Sequence, residues 1–436
     1  STISLVEIPR DSELLPDFDR LRQVAEQLHQ LNAGGRLLSV HAPTRGGLGA
    51  ALAKMAFGNR IGFTAAPTAA ESDDFFVERP FAFLIEHHGE LPLALGARAL
   101  GKTTAEPVLT ISGEACPLAG LLGAWTATLE PIYPSQPNRG DRAAGMTMTA
   151  RLPLIGNYSE RMTARSAATT AKPRVIIPVF PGTNCEYDTA RAFRQAGGEA
   201  EIVVFRNRTS AQVEESLKEL AGRIATGQIL MVPGGFSAGD EPDGSGKFIA
   251  TVLRNPRVAE AVMNLLRERD GLILGICNGF QGLIKTGLVP YGEIRDPESD
   301  APTLTFNDIG RHVSCYVRTR VVSSLSPWLA DCEVGDVHRI PVSHGEGKFV
   351  ASAASLAAMA ERGQIATQYL DANGMPSMEI ESNPNGSLAA IEGITSPCGR
   401  VFGKMAHTER RGTEVAKNIP GNKHQPLFSA GVRYFL

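Results

Sequence analysis

GLILGICNGF, residues 271–280, sets a run of aliphatic side chains against one thiol and then surrounds that thiol with glycines. Cys277 follows Leu272-Ile273-Leu274 and directly precedes an expected helix. A short aliphatic strand ending in Gly275-Ile276-Cys277-Asn278-Gly279 matches a nucleophile elbow with Cys in place of Ser, where small flanking residues permit a sharp strand-to-helix turn. The expectation is a sulfur exposed at the top of a sheet and facing a helix N-terminus, whose dipole favours a thiolate. An isolated G-x-C-x-G also fits a packed cysteine before a helix, so the partners decide.

The surrounding sequence says which sheet this is. From Arg174 onward, RVIIPVF, EIVVF, QILMVP and GLILGIC are short aliphatic runs separated by helical segments such as Tyr187 to Ala196. Alternating β and α with continuously apolar strands predicts a doubly wound, mostly parallel sheet covered on both faces, an α/β architecture. In such sheets functional residues gather beyond the carboxyl ends of the strands, where Cys277 falls.

Upstream the pattern differs. Leu14, Leu15, Phe18, Leu21, Val24, Leu28 and Leu31 recur at helical spacing and predict an amphipathic helix over 14–31, with Pro16 near its start and Gly34-Gly35 as its stop. RLLSVHAPTRGGLGAALAKMAF then reads as a strand to about His41, a Gly-rich turn and a helix from about Gly46 to Phe57. Short β-like runs follow at Phe81 to Glu86 and Val108 to Ser112, giving an α+β domain over 1–130. Over 131–172 the periodicity fades into proline, glycine and small polar residues, a linker that Leu152, Leu154, Ile155 and Tyr158 anchor. Residues 173–436 form the second domain.

Length and composition narrow the function. A chain of 436 residues exceeds one ordinary core. With 43 Lys+Arg against 46 Asp+Glu, no electrostatic footprint points to nucleic acid or an anionic membrane, and a small-molecule partner is expected. Cys116, Cys185, Cys277, Cys315, Cys332 and Cys398 are widely spaced, without a CxxC pair, and suit a reducing, cytoplasmic setting. No apolar run reaches the roughly 18 residues of a membrane span, and STISLVEIPR lacks the plan of a signal peptide. A first residue of Ser rather than Met is consistent with a processed chain or a piece of a longer one.

A thiolate nucleophile needs a proton acceptor and a group to orient it. His407 and Glu409, in GRVFGKMAHTERRG, follow another short apolar run, and residues two apart on an extended segment project to one side. The carboxylate then holds one imidazole nitrogen while the other faces the sulfur; a surface His-x-Glu pair is the alternative. In MVPGGFSAGDEPDGSG, residues 231–246, Gly234-Gly235 let backbone amides approach a substrate, and with the Asn278 amide they form a candidate oxyanion hole. In PVSHGEGKF, residues 341–349, Ser343, His344 and Gly345 present polar groups to a small zwitterion, with His344 as an alternative second base. Cys185, in GTNCEYD, also precedes an expected helix and is the competing thiol.

Together these elements resemble the class I glutamine amidotransferases, and more closely the glutaminase domain of the phosphoribosylformylglycinamidine synthase family. FPGTNCEYDTARAF, PGGFSAGD, GICNGFQ, VSHGEGKF, NPNGS and AHTER occur in that family's order over residues 174–436, about 60% of the chain. The resemblance implies a flavodoxin-like sheet and attack by Cys277 on the glutamine side-chain amide, with His407 as acid and base and Glu409 as its orienting partner. Gly235 and Asn278 supply the oxyanion amides, while Gln281, Ser343 and His344 help bind glutamine. Ala406 and Thr408 stand where many relatives carry prolines. No cofactor or metal is implied for the glutaminase reaction; ATP and Mg2+ serve the full synthetase, which aminates formylglycinamide ribonucleotide in purine synthesis. The first domain resembles, more weakly, the carboxyl-terminal subdomain of an aminoimidazole-ribonucleotide-synthetase-like unit. There Ala42 and Arg45 replace two acidic positions, implying a structural role and making His41 a packing or turn residue. Most of the ATP and ribonucleotide sites lie upstream in that family, so the resemblance casts the chain as a carboxyl-terminal fragment. The rival readings are another cysteine hydrolase on the same sheet and a non-enzymatic interaction module.

Overall fold

The computed structural model describes residues 1–72, 75–135, 166–236 and 246–436. The chain divides into two compact units, Ser1–Ser135 and Gln136–Leu436. Leu152, Leu154, Ile155 and Tyr158 of the expected linker, and Ser237 to Asp240 of PGGFSAGD, lie outside the described residues.

The first unit contains β1 (Thr2–Glu7), α1 (Phe18–Ala33), β2 (Leu37–His41), α2 (Gly47–Phe57), β3 (Gly62–Ala65), α3 (Pro67–Ser72), β4 (Ala82–His87), β5 (Arg98–Thr104), β6 (Val108–Ile111), β7 (Glu114–Pro117) and α4 (Leu118–Thr126). Its strands form one sheet in the order β2-β4-β1-β5-β3-β6-β7, antiparallel except for the β3–β6 pair. Helix α1 starts later than its apolar spacing suggests. Proline disfavours helical backbone in the residue before it, and the Asp17 carboxylate caps the helix by accepting from the Arg20 amide (2.9 Å). Leu14, at φ 65°, and Leu15 therefore sit in an exposed turn. His41 ends β2 opposite Leu84.

The second unit runs through β8 (Arg174–Val179), α5 (Glu186–Gln195), β9 (Glu199–Val204), α6 (Ser210–Ile224), β10 (Ile229–Val232), α7 (Lys247–Arg254), α8 (Pro256–Arg267), β11 (Leu272–Ile276), α9 (Asn278–Thr286) and the short α10 (Leu288–Tyr291). It continues with β12 (Thr303–Phe306), β13 (Val313–Val321), β14 (Val337–His344), β15 (Glu346–Val350), α11 (Ala353–Glu361), β16 (Ile365–Leu370), β17 (Ile391–Thr395), β18 (Val401–Lys404) and α12 (Leu427–Arg433). Nine of these strands form a sheet in the order β14-β13-β16-β17-β18-β11-β10-β8-β9, and β12 pairs with β15.

The expectation of a mostly parallel sheet is corrected here. The pairs from β9 to β18 are parallel, and those from β18 to β14 are antiparallel, so the sheet is mixed. Burial accounts for both halves. β10, β11 and β18 are buried throughout, and β10 and β11 read as unbroken apolar runs, whereas β14 alternates buried with partly exposed positions, the period of an antiparallel strand with one wet face. The strand directions make β14 run the same way as β18. Segments following β8, β10, β11, β14 and β18 therefore leave the sheet at one edge.

Candidate active site

Cys277 sits on the strand-to-helix turn between β11 and α9 at φ 54°, ψ −109°, a conformation that costs an L-residue energy and is held by its surroundings. The glycines on either side explain how. A Cβ on Gly275 would lie 2.6 Å from Leu283 Cδ1, and one on Gly279 would overlap the Val232 carbonyl, so α9 can pack this close to β10 and β11 only without those side chains. The Cys277 amide donates to the Lys404 carbonyl (2.8 Å), tying the elbow to the end of β18.

That strand leads to His407. Its Nδ1 lies 2.6 Å from Glu409 Oε1, and both side chains are buried. The segment between them is a turn rather than the extended chain expected, with the Arg410 amide donating to the His407 carbonyl (3.3 Å). Burial pushes the Glu409 carboxyl up. The His407 charge and hydrogen bond, followed by Glu409's own amide and Arg410, outweigh it and hold the group below its ordinary value. An ionised carboxylate can only accept, so Nδ1 is the nitrogen that donates to it and Nε2 is the one left for another group. Among the described residues Nε2 is buried with no hydrogen-bond partner, as is Glu409 Oε2. At Ala406 and Thr408 the turn is fastened by hydrogen bonds. Lys404 Nζ donates to the Ala406 carbonyl and to Thr408 Oγ1 (2.8 Å each), and the Ala406 amide donates to Glu392 Oε1 (2.7 Å). Lys404 and Glu392 are themselves a fully buried pair at 3.4 Å.

Gly234 is the point around which the reactive groups meet. A Cβ built on it would lie 2.7 Å from His407 Cε1, 3.2 Å from Cys185 Sγ and 3.4 Å from Cys277 Cβ. Gly235, at φ 150°, is pressed against Thr183 and Asn184. The amide of Asn278 is directed at the Cys277 sulfur and works to lower its pKa.

The expectation of an exposed, thiolate-favouring sulfur is corrected: Cys277 is 4% exposed. Its Sγ donates to the Ser343 carbonyl at 3.6 Å. Burial, then the neighbouring Cys185 and Glu409, raise its pKa, and this exceeds what the Asn278 amide and Arg410 return. Cys185 belongs to the same cluster. It lies 3.9 Å from His407 Nδ1, donates to Asn184 Oδ1 (3.1 Å) and accepts from Arg410 Nη2 (3.0 Å). Burial and Glu409 push it up to about 12 despite Arg410.

The remaining wall is the β14 end. Ser343 Oγ pairs with His312 Nε2 (2.9 Å). His344 is buried, its Nδ1 against Asn307 Oδ1 (3.2 Å) and its Nε2 without a partner among the described residues. Gly347 lies under the His344 ring, where a Cβ would come within 2.7 Å. NPNGS buttresses this loop: Asn385 Nδ2 donates to the Gly347 carbonyl (2.8 Å), and Ser387 Oγ accepts from the Phe349 amide (3.0 Å). Gln281 is buried, taking a hydrogen bond from Asn278 Nδ2 (2.8 Å) and giving one to the Glu346 carbonyl. Its amide thus spans from the elbow to the loop. Asn307, His312 and Arg410 were not singled out from sequence. They come from irregular segments, and only the pairing of β13 with β14 and the turn after β18 bring them in.

Burial, then His407 and His312, push His344 down to about 3, against an ordinary 6.5. As pH falls the unfolded chain takes the proton first. The stabilisation from keeping this imidazole neutral is complete above about pH 6.5 and drains away toward pH 3. Unfolding free energy measured in urea between pH 6.5 and 4.5 is expected to fall by up to about 1.4 kcal/mol per pH unit from this group. His344→Gln, which cannot titrate, should flatten that slope; an unchanged slope would refute the assignment.

A family model described as the CobB/CobQ-like glutamine amidotransferase domain matches residues 172–435. Phosphoribosylformylglycinamidine synthase subunit PurQ of Dehalococcoides mccartyi is 35% identical over 240 residues, covering 55% of this chain and 86% of that protein. The subunit of the same name from Treponema denticola is 35% identical over 287 residues, covering 61% of this chain and 100% of that protein. A chain in the solved structure of PurLQS from Thermotoga maritima aligns over 61% of this chain and 100% of its own length, with 27% identity and a TM-score of 0.43.

Proposed function

We propose, for a chain that belongs to the CobB/CobQ-like glutamine amidotransferase domain family, that residues 173–436 hydrolyse glutamine through a Cys277 thioester. The ammonia released serves the ATP-dependent amidation of formylglycinamide ribonucleotide in purine synthesis. Curated relatives called phosphoribosylformylglycinamidine synthase subunit PurQ support the pathway. The observation that carries the chemistry is the meeting of Cys277, His407 and Glu409 around Gly234, with His407 Nε2 unpartnered among the described residues.

The steps follow from that geometry. His407 Nε2 takes the Cys277 proton as sulfur attacks the glutamine amide carbon, and Glu409 stabilises the imidazolium that forms. The amides of Gly235 and Asn278 receive the developing oxyanion. The imidazolium returns its proton to the departing ammonia. His407 then activates a water that cleaves the thioester to glutamate. Ser343 and His344 line the glutamine-binding wall, and Gln281 holds the loop that carries them.

The first unit is assigned a structural role. ATP and Mg2+ belong to the synthetase half-reaction, and residues 41–48, HAPTRGGL, contain no carboxylate with which to hold a metal-bound nucleotide. Formylglycinamide ribonucleotide and ATP therefore reach this chain's chemistry through partner regions. Among the described residues no helix is long and apolar enough to cross a membrane.

A glutamine analogue with an electrophile at the amide carbon tests the reading. Peptide mapping should place the label on Cys277, because only there do an imidazole lone pair and two candidate oxyanion amides serve one sulfur. Cys185, whose sulfur is engaged by Asn184 Oδ1 and Arg410 Nη2, should remain unmodified. Label found chiefly on Cys185 would reverse the roles of the two thiols.

A further inference from the structure

Away from the catalytic edge, the turn that enters β14 gathers a second set of donor atoms. The Sγ of Cys332, a carboxylate oxygen of Asp336 and a ring nitrogen of His338 all lie within 4.8 Å of one another. Cys332 and His338 are buried and Asp336 is exposed, so one side of the cluster opens to solvent. The turn is firmly built. The Glu333 amide donates to Asp336 Oδ2 (2.9 Å), the Gly335 amide to the Val321 carbonyl (2.8 Å) and the Val321 amide to the Asp336 carbonyl (2.9 Å).

An independent observation points to a missing ligand. Among the described residues His338 Nδ1 is buried with no hydrogen-bond partner, and Thr319, directly across the β13–β14 ladder, has an unpartnered buried Oγ1. Two orphaned polar atoms on one face of a strand pair cost stability unless something occupies the space between them.

We propose that Cys332, Asp336 and His338 bind a thiophilic divalent cation of the Zn2+ class, with water as the fourth ligand on the Asp336 side. Bonds of about 2.3 Å to sulfur and about 2.0–2.2 Å to nitrogen and oxygen place tetrahedral ligands roughly 3.3–3.7 Å apart, so the cluster closes by about 1 Å around the ion. The Cys332 S–H bond breaks as the S–metal bond forms, and its proton leaves to solvent. No electron transfer is involved. Thiolate, imidazole and carboxylate together favour zinc over magnesium or calcium.

The test uses the full chain carrying Cys185→Ala and Cys277→Ala, so that no thiol near His407 competes. Metal-free protein is titrated with Zn2+ against a chromophoric chelator and, separately, with Co2+ by absorption. One equivalent of either ion should bind, with a thiolate-to-cobalt charge-transfer band. Cys332→Ser should abolish the band. His338→Ala should weaken Zn2+ binding by more than the roughly 10- to 100-fold that an outer-sphere partner is worth. Circular dichroism checks that these variants fold; Asp336→Asn, at an exposed position, provides a third variant that should weaken binding without affecting the core. Failure to retain Zn2+ in the chelator competition, or binding indifferent to both His338→Ala and Asp336→Asn, would overturn the proposal.

Discussion

Cys277→Ala should reduce glutamine-dependent amidation to background while leaving amidation from added ammonium near the parent rate, when the synthetase half-reaction is supplied. Removing a nucleophile from a catalytic triad costs on the order of 10⁶ in turnover, because the remaining groups have nothing to activate. Ammonium needs no thiol. The substitution deletes one sulfur from a turn fixed by Gly275, Gly279 and the Cys277–Lys404 backbone bond, and alanine retains that bond. Amidine formation measured with each nitrogen source in turn separates the two half-reactions. Equal loss with both, in a variant shown to be folded, would mean that Cys277 serves the synthetase reaction or couples the two activities, and the modular mechanism would be abandoned.

Glu409→Gln should lower the glutaminase kcat by roughly 10²–10⁴. The 2.6 Å bond from His407 Nδ1 depends on an acceptor that carries charge, and that charge is what stabilises the imidazolium. A glutamine amide keeps the shape but can turn its NH2 toward Nδ1, leaving the ring with its proton on the nitrogen that should receive one from sulfur. KM should change little, because the role proposed for Glu409 is in the acid-base relay and not in the glutamine-binding wall. Steady-state kinetics that showed kcat within about threefold of the parent would remove Glu409 from the mechanism.

Much of this site was legible in the sequence because each reactive residue ends a recognisable apolar run. LILGI before Cys277 and VFGK before His407 are buried on both faces, and their parallel pairing through Ile276 and Lys404 puts both residues at one edge. Other features depend on contacts that no local pattern encodes. The antiparallel half of the sheet rests on strands such as VHRIPVSH, whose alternation was legible but whose neighbours were not. The burial of Cys277 comes from segments more than 40 residues away on either side, the loop at Gly234 and the end of β14 at Ser343, closing over it. Cys185 reads locally as a residue before a helix; only the approach of β8 and β10 brings it to His407. In α1, Leu14 and Leu15 fit the helical spacing, and the Pro16-Asp17 pair overrides them.

The place of β18 in the sheet has a bearing on how this enzyme is made. β18 lies at the seam between the parallel and antiparallel halves, yet among the described residues it is the last strand in sequence. Cys277 leaves the ribosome about 130 residues ahead of His407, which at roughly 5–20 residues per second is on the order of 10 s. During that interval the thiol has no base and its strand has an unfilled neighbour. On the proposed mechanism a nascent chain therefore cannot release ammonia before its carboxyl-terminal segment has emerged, and truncation between Cys277 and Val401 leaves both a silent nucleophile and an open sheet edge, a species more suited to proteolysis than to leaky catalysis.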